Sequence, residues 1–379
     1  MLNILDYITL RKDLSFSKCP FQEIDALIFS ELAYIEWNGI VEAPIALSEA
    51  CIRFFQENTG TDFTLKYAYS LHLPQLVKKL RNTIRYQHVE LLEYQSIFDE
   101  IQEIQFAAVT FRLEDGSLFI AYRGTDSSMI GWKEDMRMTY QDEVPSHQLA
   151  WKYASEIYDR YFMRTNIWGR KQPMKASLYI GGHSKGGNLA MYAAMRDKQM
   201  QQSITKVFNF DGPGFRPSFY ERVDVSVIIG RIQSYVPKDT IIGRLLDHKE
   251  AVTVIDAVGS GLAQHDAFYW NVEASGFVKA DHWSGKSNQI QETIDQILMS
   301  KDDEHRKLYI DVMFHVLDRL EIRQITDFSS VGFRQGINGI RELTTMSNEE
   351  RKFLFDVITF LWSQTKSVFI RMNQSDVKE

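Results

Sequence analysis

A serine flanked by glycines, between a β-rich segment and a helix-forming segment, most constrains what this chain folds into. The stretch YIGGHSKGGNLAMYAAM covers residues 179–195, with Ser184 at its hinge. It contains G-x-S-x-G, the pattern of a nucleophile elbow, in which a serine occupies a strained turn from strand to helix. Gly182 and Gly186 avoid clashes where that strand and that helix almost touch. The alternatives are a plain structural turn or a phosphate-binding loop, but the pattern G-x-x-x-x-G-K-[ST] is absent.

Such an elbow predicts the surroundings of the serine hydroxyl. Ser184 would lie at the N-terminus of the following helix, where the helix dipole favours negative charge. The backbone N–H of Lys185 would then point to the position at which an oxyanion forms. This arrangement identifies Ser184 as a candidate nucleophile and Lys185 as a candidate oxyanion donor.

A nucleophilic serine needs a base, and five histidines follow it in the chain. His265 comes after a predicted strand and the loop GSGLAQ, from which a base can reach back to the serine. His282, in ADHWSG, is the main competitor. The other three lie in charged or helical contexts that are typical of surface or packing residues: His248, His305 and His315.

The base in turn needs an acid to orient it, and two aspartates follow predicted strands. Asp239 comes just after RIQSYV, and Asp211 comes one strand earlier, after KVFNF. Catalytic groups gather at the carboxyl ends of strands in open α/β sheets. Asp239 is the preferred candidate, and Asp211 is the alternative, with stabilisation of the DGPG turn as its other possible role.

The order of segments predicts an α/β protein. The first hundred residues are mainly helical in pattern, and strands alternate with helices from about residue 105 to residue 285. This alternation predicts a mainly parallel sheet covered by helices on both faces. We expect a core domain over residues 1–285, made of a helical segment (1–100) and a catalytic part (101–285). A helical C-terminal segment (286–379) follows, in which Ser347 and Glu350 form a capping-box pattern.

The segment AYRGTDSSMIGWKED adds a family resemblance. Together with GGHSKGG, VPKDTI and QHDAFYW, it resembles the class 3 lipase-like branch of the α/β-hydrolases and a bacterial lipase-like family within it. The resemblance covers roughly residues 15–285. It implies an α/β-hydrolase fold with helical N- and C-terminal additions and a triad of Ser184, Asp239 and His265. It also implies that Thr125 supplies the second oxyanion donor.

Two further expectations depend on this resemblance. The arginine of the R-G-[ST] turn commonly pairs with a downstream aspartate, which predicts an Arg123–Asp135 ion pair that holds the oxyanion loop. Lys185 stands where such lipases often have an apolar residue. Its side chain is either solvated on the first helical turn, which we prefer, or a cation that favours anionic or polar acyl groups.

The sequence therefore predicts a serine ester hydrolase of the lipase or carboxylesterase type that needs no metal and no cofactor. Its substrate would be a small-molecule or lipid ester; a thioesterase, a peptidase or a catalytically silent binding module are the alternatives. A net charge of −7 and the lack of a basic stripe argue against nucleic acid. No signal-like N-terminus or run of about 20 apolar residues is evident, which predicts a cytoplasmic protein with at most weak membrane-surface association.

Overall fold

A computed structural model of the protein describes residues 1–67, 70–126, 128–295, 300–319 and 321–324, together with residues 327, 348 and 351. The capping-box pattern at Ser347 and Glu350 lies outside the described residues. Within them the helices are α1 (Ile4–Arg11), α2 (Glu23–Leu32), α3 (Leu47–Glu57), α4 (Phe63–Lys66), α5 (Leu73–Leu80), α6 (Met129–Arg137), α7 (Pro145–Ile157), α8 (Lys185–Arg196), α9 (Lys198–Gln201), α10 (Pro217–Arg222), α11 (Gly285–Ile294) and α12 (Asp303–Arg319). The strands are β1 (Ile45–Ala46), β2 (Glu90–Asp99), β3 (Ile104–Arg112), β4 (Leu118–Tyr122), β5 (Met163–Thr165), β6 (Lys171–Pro173), β7 (Leu178–His183), β8 (Ile204–Phe210), β9 (Ile232–Pro237), β10 (Ala251–Ile255), β11 (Val272–Glu273) and β12 (Gly276–Phe277).

One sheet of eight described strands organises the molecule, in the order β1-β2-β3-β4-β7-β8-β9-β10. The pairs from β1 to β4 are antiparallel, and the pairs from β4 to β10 are parallel. Two short hairpins, β5–β6 and β11–β12, stand outside it. Parallel strands end at the same edge, so the residues that follow β4, β7, β8 and β9 come together at the carboxyl edge of the sheet.

Both faces of the sheet are covered, as the sequence predicts. Alternate residues of β4 divide between two buried clusters, because successive side chains of a strand point to opposite faces. Phe119 and Ala121 join helices α1, α2, α3 and α5 on one face. Ile120 and Tyr122 join α7 and α8 on the other. The predicted α/β fold with a mainly parallel, helix-covered sheet is confirmed.

The first hundred residues are helical only in part, because they also supply β1 and β2 to the sheet. The longer of these two strands, β2, was not expected, because the sequence pattern of this segment predicted helices. Its sequence ELLEYQSIFD carries many polar residues, and its second half is mostly exposed or half-buried. After residue 285 the described chain is helical, as expected, and α12 lies against α6, with the Lys133 ammonium 6.0 Å from the Phe314 ring centroid. The division of the chain near residue 285 stays a prediction.

A buried ion pair ties parts of the N-terminal segment to one another. Arg85 Nε donates to Asp25 Oδ1 at 2.7 Å, and Arg85 NH2 donates to Asp25 Oδ2 at 2.5 Å. Both side chains are fully buried. Arg85 NH1 also donates to the backbone carbonyls of Leu14 and Cys19, so this one guanidinium ties the α1–α2 connection to α2.

Replacing Arg85 with Met should lower the free energy of unfolding by about 3–5 kcal/mol, because Asp25 is left as a buried charge without its partner. The matched control is Arg53→Met, since the Arg53–Glu49 pair is about half exposed on both sides. That control should cost less than about 1 kcal/mol. Urea denaturation of the three proteins measures the difference, and equal losses for both variants would contradict a special role of the buried pair.

Candidate functional site

Ser184 lies at the carboxyl end of β7, directly before α8. Its backbone has φ +59° and ψ −133°, a conformation that non-glycine residues rarely adopt. Its N–H donates to Phe210 O at the end of β8, at 2.8 Å. Lys185 is the first residue of α8, where a backbone N–H has no acceptor within the helix. Ser184 is therefore held in a strained turn beside a free helix N-terminus.

The glycines on either side of Ser184 are required by the close approach of three backbones. A Cβ on Gly186 would lie 2.1 Å from Tyr122 O at the end of β4. A Cβ on Gly182 would lie 2.3 Å from the carbonyl carbon of Gly186. Both distances involve backbone atoms, which cannot move aside as a flexible side chain can. The G-x-S-x-G spacing thus lets α8 begin directly against the central strands.

His265 contacts a carboxylate, but this carboxylate belongs to Asp211 and not to Asp239. The His265 Nδ1 to Asp211 Oδ2 distance is 2.7 Å. Asp211 directly follows β8, the neighbour of β7, and its other oxygen accepts hydrogen bonds from Thr240 Oγ1 at 2.6 Å and Gly243 N at 3.1 Å. Asp211 is fully buried, and burial raises the pKa of its carboxyl group even though His265 lowers it.

Asp239 follows β9, one strand further from Ser184. Its Oδ1 accepts a hydrogen bond from the hydroxyl of Ser284, and its N–H donates to Gln264 Oε1 at 2.9 Å. The expectation that Asp239 is the partner of His265 is therefore corrected to Asp211, the alternative. Asp211 and Asp239 each follow a strand. They differ in that β8, which precedes Asp211, lies next to β7, whereas β9 does not.

The remaining histidines have other surroundings. His282, the competitor, is exposed. His248 Nδ1 lies 2.7 Å from Glu250 Oε1, and His305 Nδ1 lies 2.7 Å from Asp302 Oδ1. The carboxylate partner of His265, in contrast, follows the strand next to β7.

The predicted oxyanion loop after β4 is held differently from expectation. Asp135 does not pair with Arg123; instead, Asp135 Oδ2 accepts a hydrogen bond from Thr125 Oγ1 at 2.5 Å. Arg123 NH2 lies 3.9 Å from Asp126 Oδ2. Burial raises the pKa of Asp135 to about 6, against the influence of the Lys185 charge and the Thr125 hydroxyl. Asp135 thus fixes the side chain of Thr125, and the predicted Arg123–Asp135 ion pair is wrong.

The side chain of Lys185 is buried, so the preferred expectation of a solvated lysine is also wrong. Lys185 Nζ lies 3.0 Å from Glu134 Oε2 and 3.7 Å from Asp135 Oδ1. It also donates to Gln105 O and Gln105 Oε1 at 2.9 and 3.0 Å. Burial alone would lower the pKa of Lys185, but Glu134 and Asp135 together raise it above the ordinary value. The ammonium is thus charged and neutralised by α6.

A polar contact that the sequence does not predict joins the segment directly after α2 to the site. Both ring nitrogens of His183, the residue before Ser184, have a polar contact. His183 Nε2 lies 2.7 Å from His265 O, and the Tyr34 hydroxyl lies 3.0 Å from His183 Nδ1. Burial lowers the pKa of His183 well below its usual value, so the ring is neutral. A neutral ring with Nε2 protonated donates to the backbone of His265 and holds that residue near Ser184.

A mainly parallel sheet covered on both faces, with a serine at positive φ between a central strand and its helix, defines a protein of the α/β-hydrolase class. Residues 80–315, more than half of the chain, match the Mbeg1-like family, and the chain belongs to that family. The predicted resemblance to class 3 lipases is confirmed at the level of this class; the bacterial assignment stays a prediction. No curated protein matches the sequence.

Solved structures of fungal lipases are similar to this chain. The lipase from Rhizopus microsporus var. chinensis is 13% identical, with 70% of this chain and 80% of that chain covered and a TM-score of 0.38. Lipase II from Rhizopus niveus is 15% identical, with 59% and 75% covered and a TM-score of 0.33. Nonglycosylated Yarrowia lipolytica LIP2 lipase is 12% identical, with 69% and 85% covered and a TM-score of 0.40.

Within the part of the chain that the structure describes, His, Cys, Asp and Glu form no group of three that could hold a metal ion. In the same residues, no helix combines the length and the apolar character needed to cross a bilayer.

Lys185→Met should lower the free energy of unfolding by about 3–5 kcal/mol, because Glu134 would remain buried as an unpaired charge. Lys185→Met combined with Glu134→Gln should recover most of this loss, since glutamine still accepts from the Ser146 N–H that now donates to Glu134 at 2.9 Å. Urea denaturation measures both variants. A double variant as unstable as the single one would show that the charge pair is not the cause.

Asp135→Asn should change stability in a pH-dependent way. The pKa of Asp135 is about 6 in the folded protein and 3.8 ordinarily, so the folded state binds the proton more tightly between these values. Raising the pH through this window therefore destabilises the wild type, whereas asparagine does not titrate. The Tm of the variant minus the Tm of the wild type should rise from pH 4 to pH 7. A difference that is constant with pH would contradict this assignment.

Proposed function

We propose that the protein is a serine hydrolase that cleaves carboxylic esters, with Ser184 as nucleophile, His265 as base and Asp211 as the orienting acid. The main support is the 2.7 Å contact between His265 Nδ1 and the buried Asp211 carboxylate, at the edge of the sheet where Ser184 follows β7. With Nδ1 engaged by Asp211, Nε2 of His265 is the nitrogen left to accept the serine proton.

The reaction follows from these roles. Ser184 Oγ attacks the ester carbonyl while His265 takes the hydroxyl proton, and the protonated imidazole then gives that proton to the leaving alcohol. Water hydrolyses the acyl-enzyme by the same route. Asp211 fixes the tautomer of His265 and stabilises the imidazolium, and burial of Asp211 strengthens that interaction.

The oxyanion would be bound by the backbone N–H groups of Thr125 and Lys185. Removing one such donor typically costs about 3–4 kcal/mol of transition-state stabilisation. The contacts of Asp135 with Thr125, and of Lys185 Nζ with Glu134, support this assignment because they brace both donors through α6. Lys185 thus has two roles in the proposal, a backbone donor and a side-chain brace.

The substrate proposed is a small-molecule or lipid ester, and the chemistry needs no metal or cofactor. The same three side chains also serve thioesterases and peptidases, and a silent binding module is the rival from outside enzymology. The cytoplasmic location and a weak association with membrane surfaces stay predictions.

A fluorophosphonate probe tests the nucleophile. Wild-type protein should be labelled, and Ser184→Ala should not, because the probe reacts only with an activated serine. A series of p-nitrophenyl esters from acetate to palmitate then sizes the acyl pocket. A folded wild type that resists labelling with and without detergent would overturn the proposed function in favour of a binding module.

Asp211→Asn should lower kcat by roughly three to four orders of magnitude, because asparagine stabilises the wrong tautomer of the histidine. Asp239→Asn is the matched control, since it is also an aspartate after a strand but bonds to Ser284 and Gln264. Its kcat should stay within a few-fold of the wild type. A larger loss in Asp239→Asn than in Asp211→Asn would reverse the assignment of the acid.

A further inference from the structure

Arg123 is a nearly buried cation whose side chain has no hydrogen-bonded partner among the described residues. Its side chain is 7% exposed, and its Nε is buried without a hydrogen bond. Among the described residues, the carboxylate within ion-pair distance is that of Asp126, at 3.9 Å from NH2. That distance is too long for a hydrogen bond, and Asp126 Oδ1 already accepts from Ser128 N at 2.8 Å.

Such a guanidinium is costly to bury. A planar fork of five N–H donors normally binds a carboxylate or phosphate with two parallel hydrogen bonds. A buried charge without this compensation is strongly unfavourable. Asp135, the expected partner, is bonded to Thr125 instead. Within the described residues, no carboxylate therefore forms these two hydrogen bonds with Arg123, which leaves the guanidinium open to a bound anion.

The backbone of Arg123 lies beside that of the proposed nucleophile. Arg123 follows Phe119 and Ala121 on the face covered by the N-terminal helices. The next residue, Gly124, is so close to the site that a Cβ on it would lie 2.9 Å from Ser184 Cβ and 2.1 Å from the Tyr34 hydroxyl. Arg123 is thus one residue away from contact with Ser184.

Three tyrosines surround the same region. Burial raises the pKa of Tyr34, Tyr67 and Tyr94, and the positive charge of Arg123 acts against it in each case. All three hydroxyls therefore lie within electrostatic reach of the guanidinium and remain protonated at neutral pH. Neutral hydroxyl groups add no negative charge that would repel an anion bound at Arg123.

We propose that Arg123 binds an anionic oxygen group of the substrate, a phosphate or a carboxylate, close to the ester that Ser184 attacks. This inference rests on the proposed ester hydrolysis and adds a substrate class to it. The bound anion would form two hydrogen bonds with the guanidinium and replace the long contact with Asp126. The substrate is then an ester that carries a negative charge near its scissile bond.

The acidic side chains near Arg123 compete with a bound anion for its positive charge. Asp126 faces the guanidinium directly, and Asp126, Asp135 and Glu31 all lie within electrostatic reach of Tyr34. Burial raises the pKa of Glu31 well above its usual value, which keeps it uncharged, and Asp135 faces the Lys185 ammonium at 3.7 Å. Asp126 is therefore the main competitor, and its removal should favour anion binding.

Binding is tested in Ser184→Ala, which separates recognition from turnover. Inorganic phosphate, glycerol 3-phosphate and butyrate are titrated calorimetrically into this variant. Adding Arg123→Gln should weaken binding at least about tenfold, as expected for a lost charge-assisted pair of hydrogen bonds. Adding Asp126→Asn should tighten it, and adding Arg164→Gln should leave it unchanged, since Arg164 is exposed in β5.

The three ligands distinguish the sources of the anion. Equal binding of phosphate and glycerol 3-phosphate identifies a site for the phosphate group alone, tighter glycerol 3-phosphate points to a phosphorylated ester, and preference for butyrate points to a carboxylate. Absence of binding by all three, or binding that neither Arg123→Gln nor Asp126→Asn changes, overturns the proposal. If Arg123→Gln does not fold, the same titrations with Arg123→Lys and Asp126→Asn test the proposal. Lysine retains the positive charge of Arg123 but not its paired donors, and asparagine retains the approximate volume of Asp126 but not its charge.

Kinetics separate this inference from the proposed function. Wild-type protein should show a higher kcat/KM for the p-nitrophenyl monoester of succinate than for p-nitrophenyl butyrate, and Arg123→Gln should lower that ratio at least about tenfold. Hydrolysis of both esters with no preference would refute the anion site while the ester hydrolase stands. Anion binding without fluorophosphonate labelling would refute the hydrolase and leave a binding site.

Discussion

The close approach of α8 to the end of β4 is the constraint on which the rest of the site depends. Gly186 lies so near Tyr122 O that any side chain there would collide with the backbone. This approach brings the N-terminus of α8 beside the loop after β4 and forces Ser184 into its positive φ. Two elements that are distant in sequence thereby meet beside Ser184: the N-terminus of α8 and the loop after β4.

A buried charge network keeps the two elements in register. Lys185 begins α8, and its ammonium reaches Glu134 in α6, which continues the loop after β4. Glu134 also accepts from the N–H and hydroxyl of Ser146 in α7. Burial raises the pKa of Glu134, but Lys185 and Ser146 more than offset this and hold it below its usual value. The strained turn at Ser184 is thus supported by the buried charges of Lys185 and Glu134 in addition to apolar packing.

Local pattern was enough to predict the strand–turn–helix around Ser184. Glycines two residues before and after a serine are typical of a turn in which the strand and the helix nearly touch, and a side chain at either position would collide with the backbone. The choice between Asp211 and Asp239 needed the order of strands, which residue spacing does not contain: both end a strand, yet only β8 lies next to β7. The burial of Lys185 depends on Glu134, 51 residues earlier in the chain. The segment around Lys185 does not contain Glu134, so the local sequence alone predicts a solvated lysine.

Two cations flank the loop after β4, and their different partners decide which of them can recognise a substrate. Lys185 is matched by Glu134 and approached by Asp135, so its charge is already neutralised within the protein. Among the residues that the structure describes, Arg123 has one long ionic contact, with Asp126 at 3.9 Å. A ligand gains little from a cation that is already paired, because it must break one ion pair to make another. Any preference for negatively charged esters therefore belongs to Arg123, although Lys185 is the cation that the sequence places beside the nucleophile.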